Sequence, residues 1–160
     1  KEINFLFNLL ENFLIKKIDD LIKNGIRLKV IGNKKIFSIK LKNLIKESEK
    51  KTVSNKTLQI NLALNYGSKN EIVGAIKKII KKKKKINKKN IDENLYTKKI
   101  PNPDILIRTG DTKRLSNFLL WQIAYTEIFF EKKLWPDFNT KDYSNILNKF
   151  KSLKRNFGSI

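Results

Sequence analysis

Apolar and polar residues alternate with two different periods in the first part of the chain. Between residues 2 and 24 the apolar positions recur at helical spacing, and they are Leu6, Leu10, Phe13, Leu14, Ile18 and Leu21. Gly25 follows them and is a typical helix stop. Residues 27–32 predict a short strand, 38–51 a helix with a polar face, and 58–64 a strand with regular alternation.

The second part of the chain continues this alternation. Ser68 and Glu71 match a capping box that opens a helix over 72–80, and 90–98 predict a short helix. The letters DILIRT over 104–109 predict a strand. The remaining predictions are a long apolar helix that is capped by Ser116 or Asn117 and reaches Phe130, a strand or turn over 135–138, and an amphipathic helix over 140–156.

Helices that alternate with strands are typical of α/β proteins with parallel strands. We therefore predict an α/β fold with a largely parallel β-sheet flanked by helices. No internal repeat and no change of composition marks a boundary, so residues 1–160 are predicted to form a single α/β domain.

Composition narrows the chemistry that the chain can perform. Its 160 residues include no Cys, which excludes disulfides, thiolate metal sites and a cysteine nucleophile. They also include no His, which excludes a Ser-His-Asp triad, histidine metal clusters and a histidine base. No run of 18 apolar residues is present to span a membrane. Any catalysis must use carboxylates, hydroxyls, amides, amines, guanidinium groups or the backbone.

The net charge of +21 has two readings. A basic surface is the usual footprint of nucleic-acid binding. However, the chain holds 32 Lys but only 4 Arg, with 19 Asn and 23 Ile, and these abundant residues share AT-rich codons. The densest stretch, called here the lysine run, covers residues 77–89 and lacks the interleaved aromatic residues that stack on bases. We interpret the lysine run as a solvated helix end and linker.

The candidate site is the strand, loop and predicted helix between residues 104 and 127. Ligands of open α/β sheets bind beyond the carboxyl ends of the strands, and a helix N-terminus there favours an anion. Arg108, Arg114 and the Ser116 hydroxyl follow such a strand and predict a diphosphate clamp. The alternative is that the two arginines form surface ion pairs with Asp111 or Glu131.

Glu127 is a second candidate, because the pattern places it three turns into an otherwise apolar helix. A carboxylate at such a position is either a solvated outer residue or a ligand for a hard cation such as Mg²⁺. The cation would then bridge Glu127 to phosphate oxygens.

Three stretches together resemble a known family. They read PDILIRTG over 103–110, RLSNFLLWQIAYTE over 114–127 and LWPDF over 134–138. This order resembles the C-terminal signature of the cis-prenyltransferases, and within them the undecaprenyl diphosphate synthases (isoprenyl transferases) of bacteria. The stretch NLALNYG over 61–67, followed by Glu71, resembles a second part of the same family. The resemblance covers essentially all 160 residues.

The resemblance implies a reaction and a site. The family condenses isopentenyl diphosphate onto an allylic diphosphate of the farnesyl type, and Mg²⁺ assists departure of the allylic diphosphate. Arg108, Arg114 and Ser116, with the backbone of Leu115, would hold isopentenyl diphosphate, and Glu127 would bind Mg²⁺. The product would be a long polyprenyl diphosphate such as undecaprenyl diphosphate.

The resemblance also implies a cytoplasmic homodimer that binds no nucleic acid and contacts the inner face of the membrane peripherally. The apolar faces of the helix over 2–24 and the strand over 58–64 would wall the tunnel for the growing product.

The family's Asp-Gly-Asn phosphate loop, its Ser-Glu-Asn-Trp stretch and its proposed proton acceptor have no match here. No catalytic residue is therefore assigned in this chain, the N-terminal strands of the fold are expected to be missing, and the 160 residues alone are expected to be inactive and poorly stable. Two stretches also depart from the family: Asp111 and Thr112 stand where Gly and Glu are usual, and Asn156 opens the triplet that matches the Arg-x-Gly of a cross-subunit contact.

Three hypotheses therefore remain open from the sequence. The chain is part of a cis-prenyltransferase, or a non-catalytic relic or partner subunit with that fold, or a basic nucleic-acid-binding module. The missing Asp-containing loop supports the second hypothesis, and the net charge supports the third.

Overall fold

The computed structural model describes the backbone of residues 2–155 and the side chains of residues 5–155. The chain divides after Tyr66 into two compact units. The prediction of a single domain over 1–160 stays a prediction.

From residue 2 onward, the first unit contains two α-helices and two strands in alternating order. They are α1 (Glu2–Lys23), β1 (Ile26–Ile31), α2 (Ile39–Lys51) and β2 (Leu58–Ala63). The strands β1 and β2 pair in parallel, with Ile26 opposite Leu58. All four predicted elements are confirmed. Gly25 ends α1 with φ +65, and a Cβ there would lie 2.4 Å from the Thr57 hydroxyl oxygen, so only glycine fits this turn.

The core of the first unit forms where α1 and α2 pack on β1. Its buried side chains are Leu14, Ile18, Leu21, Leu28, Val30, Phe37, Leu41 and Ile45. The first half of α1 differs, because the side chains of Phe5, Leu6, Leu9 and Phe13 are exposed. The helical spacing thus predicts the core correctly from Leu14 onward. The role of α1 and β2 as a tunnel wall stays a prediction.

Side chains of α2 and its C-cap cover one edge of β1. The Leu28 N–H donates to the Thr52 hydroxyl at 3.1 Å, and the Val30 N–H donates to the Glu49 carboxylate at 2.8 Å. Lys34 closes an ion pair with Glu49 at 3.0 Å. An edge strand with unpaired N–H groups invites pairing with another chain, and these two side chains satisfy the groups instead.

Up to residue 155, the second unit contains three α-helices and a second pair of parallel strands. They are α3 (Ser68–Lys81), α4 (Lys88–Asp92), β3 (Ile105–Arg108), β4 (Glu127–Phe130) and α5 (Thr140–Ser152). The strands β3 and β4 pair in parallel with Ile105 opposite Glu127. The predicted α/β class with parallel strands is confirmed. The helix predicted over 90–98 is shorter and earlier, and 135–137 form a 3₁₀ turn.

The long apolar helix predicted from Ser116 or Asn117 through Phe130 is wrong. Residues 116–125 form turns and bends, and Glu127–Phe130 form β4. Ser116, Asn117 and Leu119 have φ values of +48, +61 and +46, which a right-handed helix does not allow. The apolar run looks helical locally, but pairing with β3 converts its end into a strand, a tertiary effect that periodicity cannot detect.

The capping box predicted at Ser68 and Glu71 is also wrong. Gly67 is the N-cap of α3 and has no side chain to accept a hydrogen bond. Both predicted capping residues are buried and bind other segments.

Within the described part of the chain, no helix combines the length and apolarity needed to cross a membrane.

Removing the Thr52 hydroxyl should destabilise the chain. Thr52 is fully buried, and its hydroxyl accepts from Leu28 and donates to the Ser48 carbonyl at 2.8 Å. Thr52→Val keeps the shape but leaves the Leu28 N–H without a partner, which should cost about 1–3 kcal/mol in urea unfolding. Thr57→Val is the matched control, because Thr57 is exposed and no hydrogen bond of its hydroxyl occurs within residues 5–155. Equal losses for the two variants would contradict this role.

Acid should weaken the start of α5. Asp142 accepts from Lys133 at 2.7 Å and completes a capping box with Asn139. The Lys133 ammonium, helped by the Asn139 N–H, lowers the pKa of Asp142 from its ordinary 3.8. A lowered pKa means that this stabilisation is present above pH 3.8 and is lost as the pH falls through the folded-state pKa.

The Asp142→Asn variant should therefore show a shallower loss of stability with acid than the parent chain. Unfolding midpoints measured from neutral to acidic pH, with exposed Asp19→Asn as control, would reveal it. Parallel curves for parent and Asp142→Asn would contradict the assignment.

Candidate functional site

The loop that follows β3 begins as an extension of the strand pair. The Glu131 N–H donates to the Arg108 carbonyl at 2.7 Å, and the Gly110 N–H donates to the Lys133 carbonyl at 2.8 Å. The Asp111 N–H then donates to the Glu131 carbonyl at 3.2 Å. Gly110 has φ +90 and turns the chain away from the sheet. The carboxyl end of β3 is therefore rigidly placed, as a ligand site at this position requires.

Arg108 is oriented by a neutral partner. Its Nε and Nη2 donate to the Thr112 hydroxyl oxygen at 3.2 and 3.0 Å. Within residues 5–155, neither Arg108 nor Arg114 forms the ion pair with Asp111 or Glu131 that was the alternative expectation. Thr112 fixes one edge of the Arg108 guanidinium without neutralising it, so its remaining donors are available to an anion.

The two arginines border one cleft. It has a volume of about 280 Å³, and its lining includes Arg108, Arg114 and Leu115 together with Leu106, Ile107, Thr109 and Phe118. Arg114 is exposed. Three of the four predicted substrate-binding residues thus meet at the carboxyl end of β3. Cationic groups on an otherwise largely apolar lining suit a ligand with an anionic head and an apolar tail.

Ser116 does not line this cleft. It is exposed and has φ +48, and it lies in the turn that the Phe118 N–H closes by donating to the Leu115 carbonyl at 3.0 Å. Because no helix starts here, the helix N-terminus predicted to favour an anion is absent from this loop. The role of the Ser116 hydroxyl in binding stays a prediction.

Asn117 connects this loop to α3. The Ser68 N–H donates to the Asn117 carbonyl at 2.8 Å, and the Lys69 N–H donates to the Asn117 side-chain oxygen at 2.9 Å. In the opposite direction, the Leu120 N–H donates to the buried Ser68 hydroxyl at 3.0 Å. A Cβ on Gly67 would lie 2.8 Å from the Asn117 amide nitrogen. Asn117 therefore caps α3 from a distant part of the chain, and the glycine gives it room.

A buried carboxylate adds a second connection. Glu71, only 3% exposed, accepts from the Tyr96 N–H at 2.6 Å and from the Gln122 side chain at 3.1 Å. Gln122 also donates to the Thr97 hydroxyl at 2.9 Å. A charge buried to this extent is tolerated only with such partners. Sequence reasoning missed both Asn117 and Glu71 as loop anchors, and the only sequence signal was an α3 N-terminus preceded by glycine.

Glu127 lies away from the arginine cleft. It is the first residue of β4, opposite Ile105, whereas Arg108 is three residues further along the strand pair, a rise of about 10 Å. The Glu127 carboxylate is 3.9 Å from Arg155, and Arg155 binds Asp104 at 2.7 Å. The predicted position of Glu127 inside a helix is therefore wrong.

The described carboxylates do not form a magnesium site by themselves. No group of three or more acidic side chains converges within residues 5–155, and Glu127 and Asp104 both face the Arg155 guanidinium. Mg²⁺ often takes only one or two carboxylates and completes its shell with water and substrate phosphates. Glu127 thus fits at most as a single ligand, and its metal role stays a prediction. The departure at Asn156 lies outside the described residues.

Comparison with known proteins gives consistent matches. Residues 1–158 match the family model described as "Putative undecaprenyl diphosphate synthase". The chain is 43% identical over 167 residues to the (2E,6E)-farnesyl-diphosphate-specific ditrans,polycis-undecaprenyl-diphosphate synthase of Wigglesworthia glossinidia brevipalpis, covering 100% of this chain and 64% of that protein. It is 41% identical over 158 residues to the isoprenyl transferase of Rickettsia typhi, covering 98% and 70%. The chain therefore spans less than two thirds of the first relative.

Two solved structures of similar proteins have the same fold as this chain. A probable undecaprenyl diphosphate synthase from Campylobacter jejuni superposes with a TM-score of 0.91 at 37% identity, covering 99% of this chain and 75% of that one. Lavandulyl diphosphate synthase from Lavandula x intermedia, in complex with dimethylallyl diphosphate, also gives a TM-score of 0.91, at 32% identity and with coverage of 99% and 72%.

Asn117→Ala should destabilise the second unit, because it removes the side-chain acceptor of the distant α3 cap and leaves only the backbone acceptor. Loss of a capping side chain typically costs about 1 kcal/mol in the free energy of unfolding. Asn117→Asp should retain most of the stability, since aspartate caps as well as asparagine. Urea unfolding followed by circular dichroism gives the measurement, with exposed Asn70→Ala on α3 as the matched control. An Asn117→Ala chain as stable as the control would show that the cap is dispensable.

Proposed function

This chain belongs to the undecaprenyl diphosphate synthase family, and we propose that it forms the isopentenyl-diphosphate-binding part of a cis-prenyltransferase. The whole protein would condense isopentenyl diphosphate onto an allylic diphosphate of the farnesyl type. Its product would be a long polyprenyl diphosphate such as undecaprenyl diphosphate. The proposal concerns the whole protein, because the chain spans 64% of the first relative.

The observation that carries this proposal is the cleft bordered by Arg108 and Arg114 at the carboxyl end of β3. An arginine fork binds phosphate oxygens through two parallel hydrogen bonds, and two arginines suit the two phosphates of a diphosphate. Thr112 orients Arg108 and leaves its charge in place. Apolar Leu106 and Phe118 line the same cleft and suit the five-carbon tail. On this observation we assign Arg108, Arg114 and Leu115 to isopentenyl diphosphate, and we assign Ser116 to it on family membership alone.

Further parts of the proposal rest on family membership. Glu127 is proposed as one ligand of Mg²⁺, with the other ligands supplied by groups outside the described carboxylates. No catalytic residue is assigned within the chain, so the 160 residues alone are expected to bind isopentenyl diphosphate without turning it over. A cytoplasmic homodimer with peripheral contact at the inner face of the membrane completes the proposal.

Arg114→Ala should weaken binding of isopentenyl diphosphate to the chain by roughly 10- to 100-fold, the usual value of charged hydrogen bonds to phosphate. Arg114→Lys should recover only part of the loss, because a point charge does not replace the fork. Isothermal titration with isopentenyl diphosphate gives both affinities. Lys113→Ala is the matched control: it removes one positive charge from the adjacent exposed position and should change the affinity less than about threefold.

Three results would count against the proposal. Equal losses for Arg114→Ala and Lys113→Ala would reduce the clamp to general electrostatic attraction. A parent chain with no affinity for isopentenyl diphosphate would favour the relic or partner-subunit hypothesis. Formation of polyprenyl product by the 160-residue chain from farnesyl and isopentenyl diphosphates would show that the assignment of catalysis to groups outside the chain is wrong.

A further inference from the structure

The segment between Ile72 and Ile91 concentrates positive charge far beyond the chain's average. It holds nine lysines and no acidic residue, whereas twenty residues of average composition would hold four lysines. All nine belong to the lysine run, and they are Lys77, Lys78, Lys81, Lys82, Lys83, Lys84, Lys85, Lys88 and Lys89. Codon bias accounts for the average but not for this local density.

Backbone hydrogen bonds close the turn in which the lysine run leaves α3. The Lys83 N–H donates to the Ile80 carbonyl at 2.9 Å, and the Lys84 N–H donates to the Ile79 carbonyl at 3.1 Å. Lys83 has φ +53 and takes the left-handed position that usually closes a helix. Asn87 caps α4 immediately afterwards. The structure thus agrees with the interpretation as a solvated helix end and linker, because residues 77–81 end α3 and residues 82–87 connect it to α4.

Two of these nine lysines bind other residues of the second unit through their side chains. Lys78 donates to the Asn94 carbonyl at 3.3 Å and lies over the Tyr96 ring at 5.4 Å, and Lys82 donates to the Asn94 side chain at 3.3 Å. The other seven are exposed and form no ion pair or side-chain hydrogen bond within residues 5–155. Their charge is therefore directed to solvent.

Two isoleucines of the lysine run are exposed. Ile80 is 60% exposed and Ile86 is 51% exposed, while Ile79 and Ile91 supply the buried contacts of α3 and α4. Val73 lies two turns before Ile80 on the same face of α3 and is 51% exposed. Lysines around exposed aliphatic side chains are the composition of a surface that lies on an anionic bilayer.

We infer that the lysine run, with Ile80 and Ile86, is a docking surface for an anionic phospholipid bilayer. The lysines would pair with lipid phosphates, and the two isoleucines would enter the boundary between headgroups and acyl chains. A lipid surface fits better than nucleic acid, because residues 72–91 contain no aromatic side chain to stack on bases and no arginine to read them. This inference rests on the peripheral membrane contact of the proposed function and names the surface that makes it, and its test does not require enzymatic activity.

The first test is sedimentation of the chain with phosphatidylcholine vesicles, with and without phosphatidylglycerol. The parent chain should bind only the anionic vesicles. Replacing Lys81, Lys83, Lys84 and Lys85 with Gln should weaken that binding roughly 100-fold, since each lysine near an anionic surface strengthens binding about fivefold and some of this is screened. The matched control replaces the exposed lysines Lys46, Lys50, Lys51 and Lys56 with Gln and should lose less than about fivefold.

The second test separates lipid insertion from simple charge attraction. Ile80→Ser with Ile86→Ser should abolish the part of vesicle binding that survives high salt, whereas Ile36→Ser with Ile39→Ser, two exposed isoleucines of the first unit, should not. Circular dichroism confirms that each variant folds. Equal binding to neutral and anionic vesicles, or equal effects of variant and control in either test, would overturn the inference. Duplex DNA that displaces the chain from vesicles at equal phosphate concentration would favour a nucleic-acid surface instead.

Discussion

The N-terminus of α3 has no capping side chain of its own, and the loop around Asn117 supplies the acceptors that it lacks. Gly67 precedes the helix and leaves its first N–H groups unsatisfied locally. Asn117, which is 48 residues beyond Lys69 in the chain, supplies both acceptors, and Ser68 holds the loop in return. One requirement of helix chemistry therefore fixes where the loop after Arg114 lies.

The same attachment explains how strained backbone persists in that loop. Asp111, Ser116, Asn117 and Leu119 all have positive φ, and each such non-glycine residue costs on the order of 1 kcal/mol. The α3 cap and the buried Glu71 network hold the loop from one side, and the hydrogen bonds beyond β4 hold it from the other. Strain maintained by surrounding contacts is typical of ligand sites. Here the same contacts hold Arg114 beside the carboxyl end of β3.

The arginines and the lysines carry charge for different purposes. Arg108 donates to a neutral hydroxyl, so its charge is not neutralised by that partner. It borders a small cleft, where the shape of the cleft and the direction of the guanidinium donors decide what binds. The lysine run spreads its charge over exposed side chains, where charge density matters more than the direction of single hydrogen bonds. Thr112 is uncharged, so it orients the Arg108 guanidinium without forming an ion pair with it.

The sequence by itself determined the α/β class, the parallel strands, most helices, the buried half of α1 and the two arginines of the cleft. The helices and strands follow from the local periodicity of apolar residues, and the two arginines follow from the permanent charge of the guanidinium group. Only the tertiary structure decided that the apolar run after Ser116 is a series of turns ending in β4, and that Glu127 faces Arg155 instead of the arginine cleft. Strand pairing and a helix cap supplied by Asn117 are long-range interactions, and no window of neighbouring residues contains both partners.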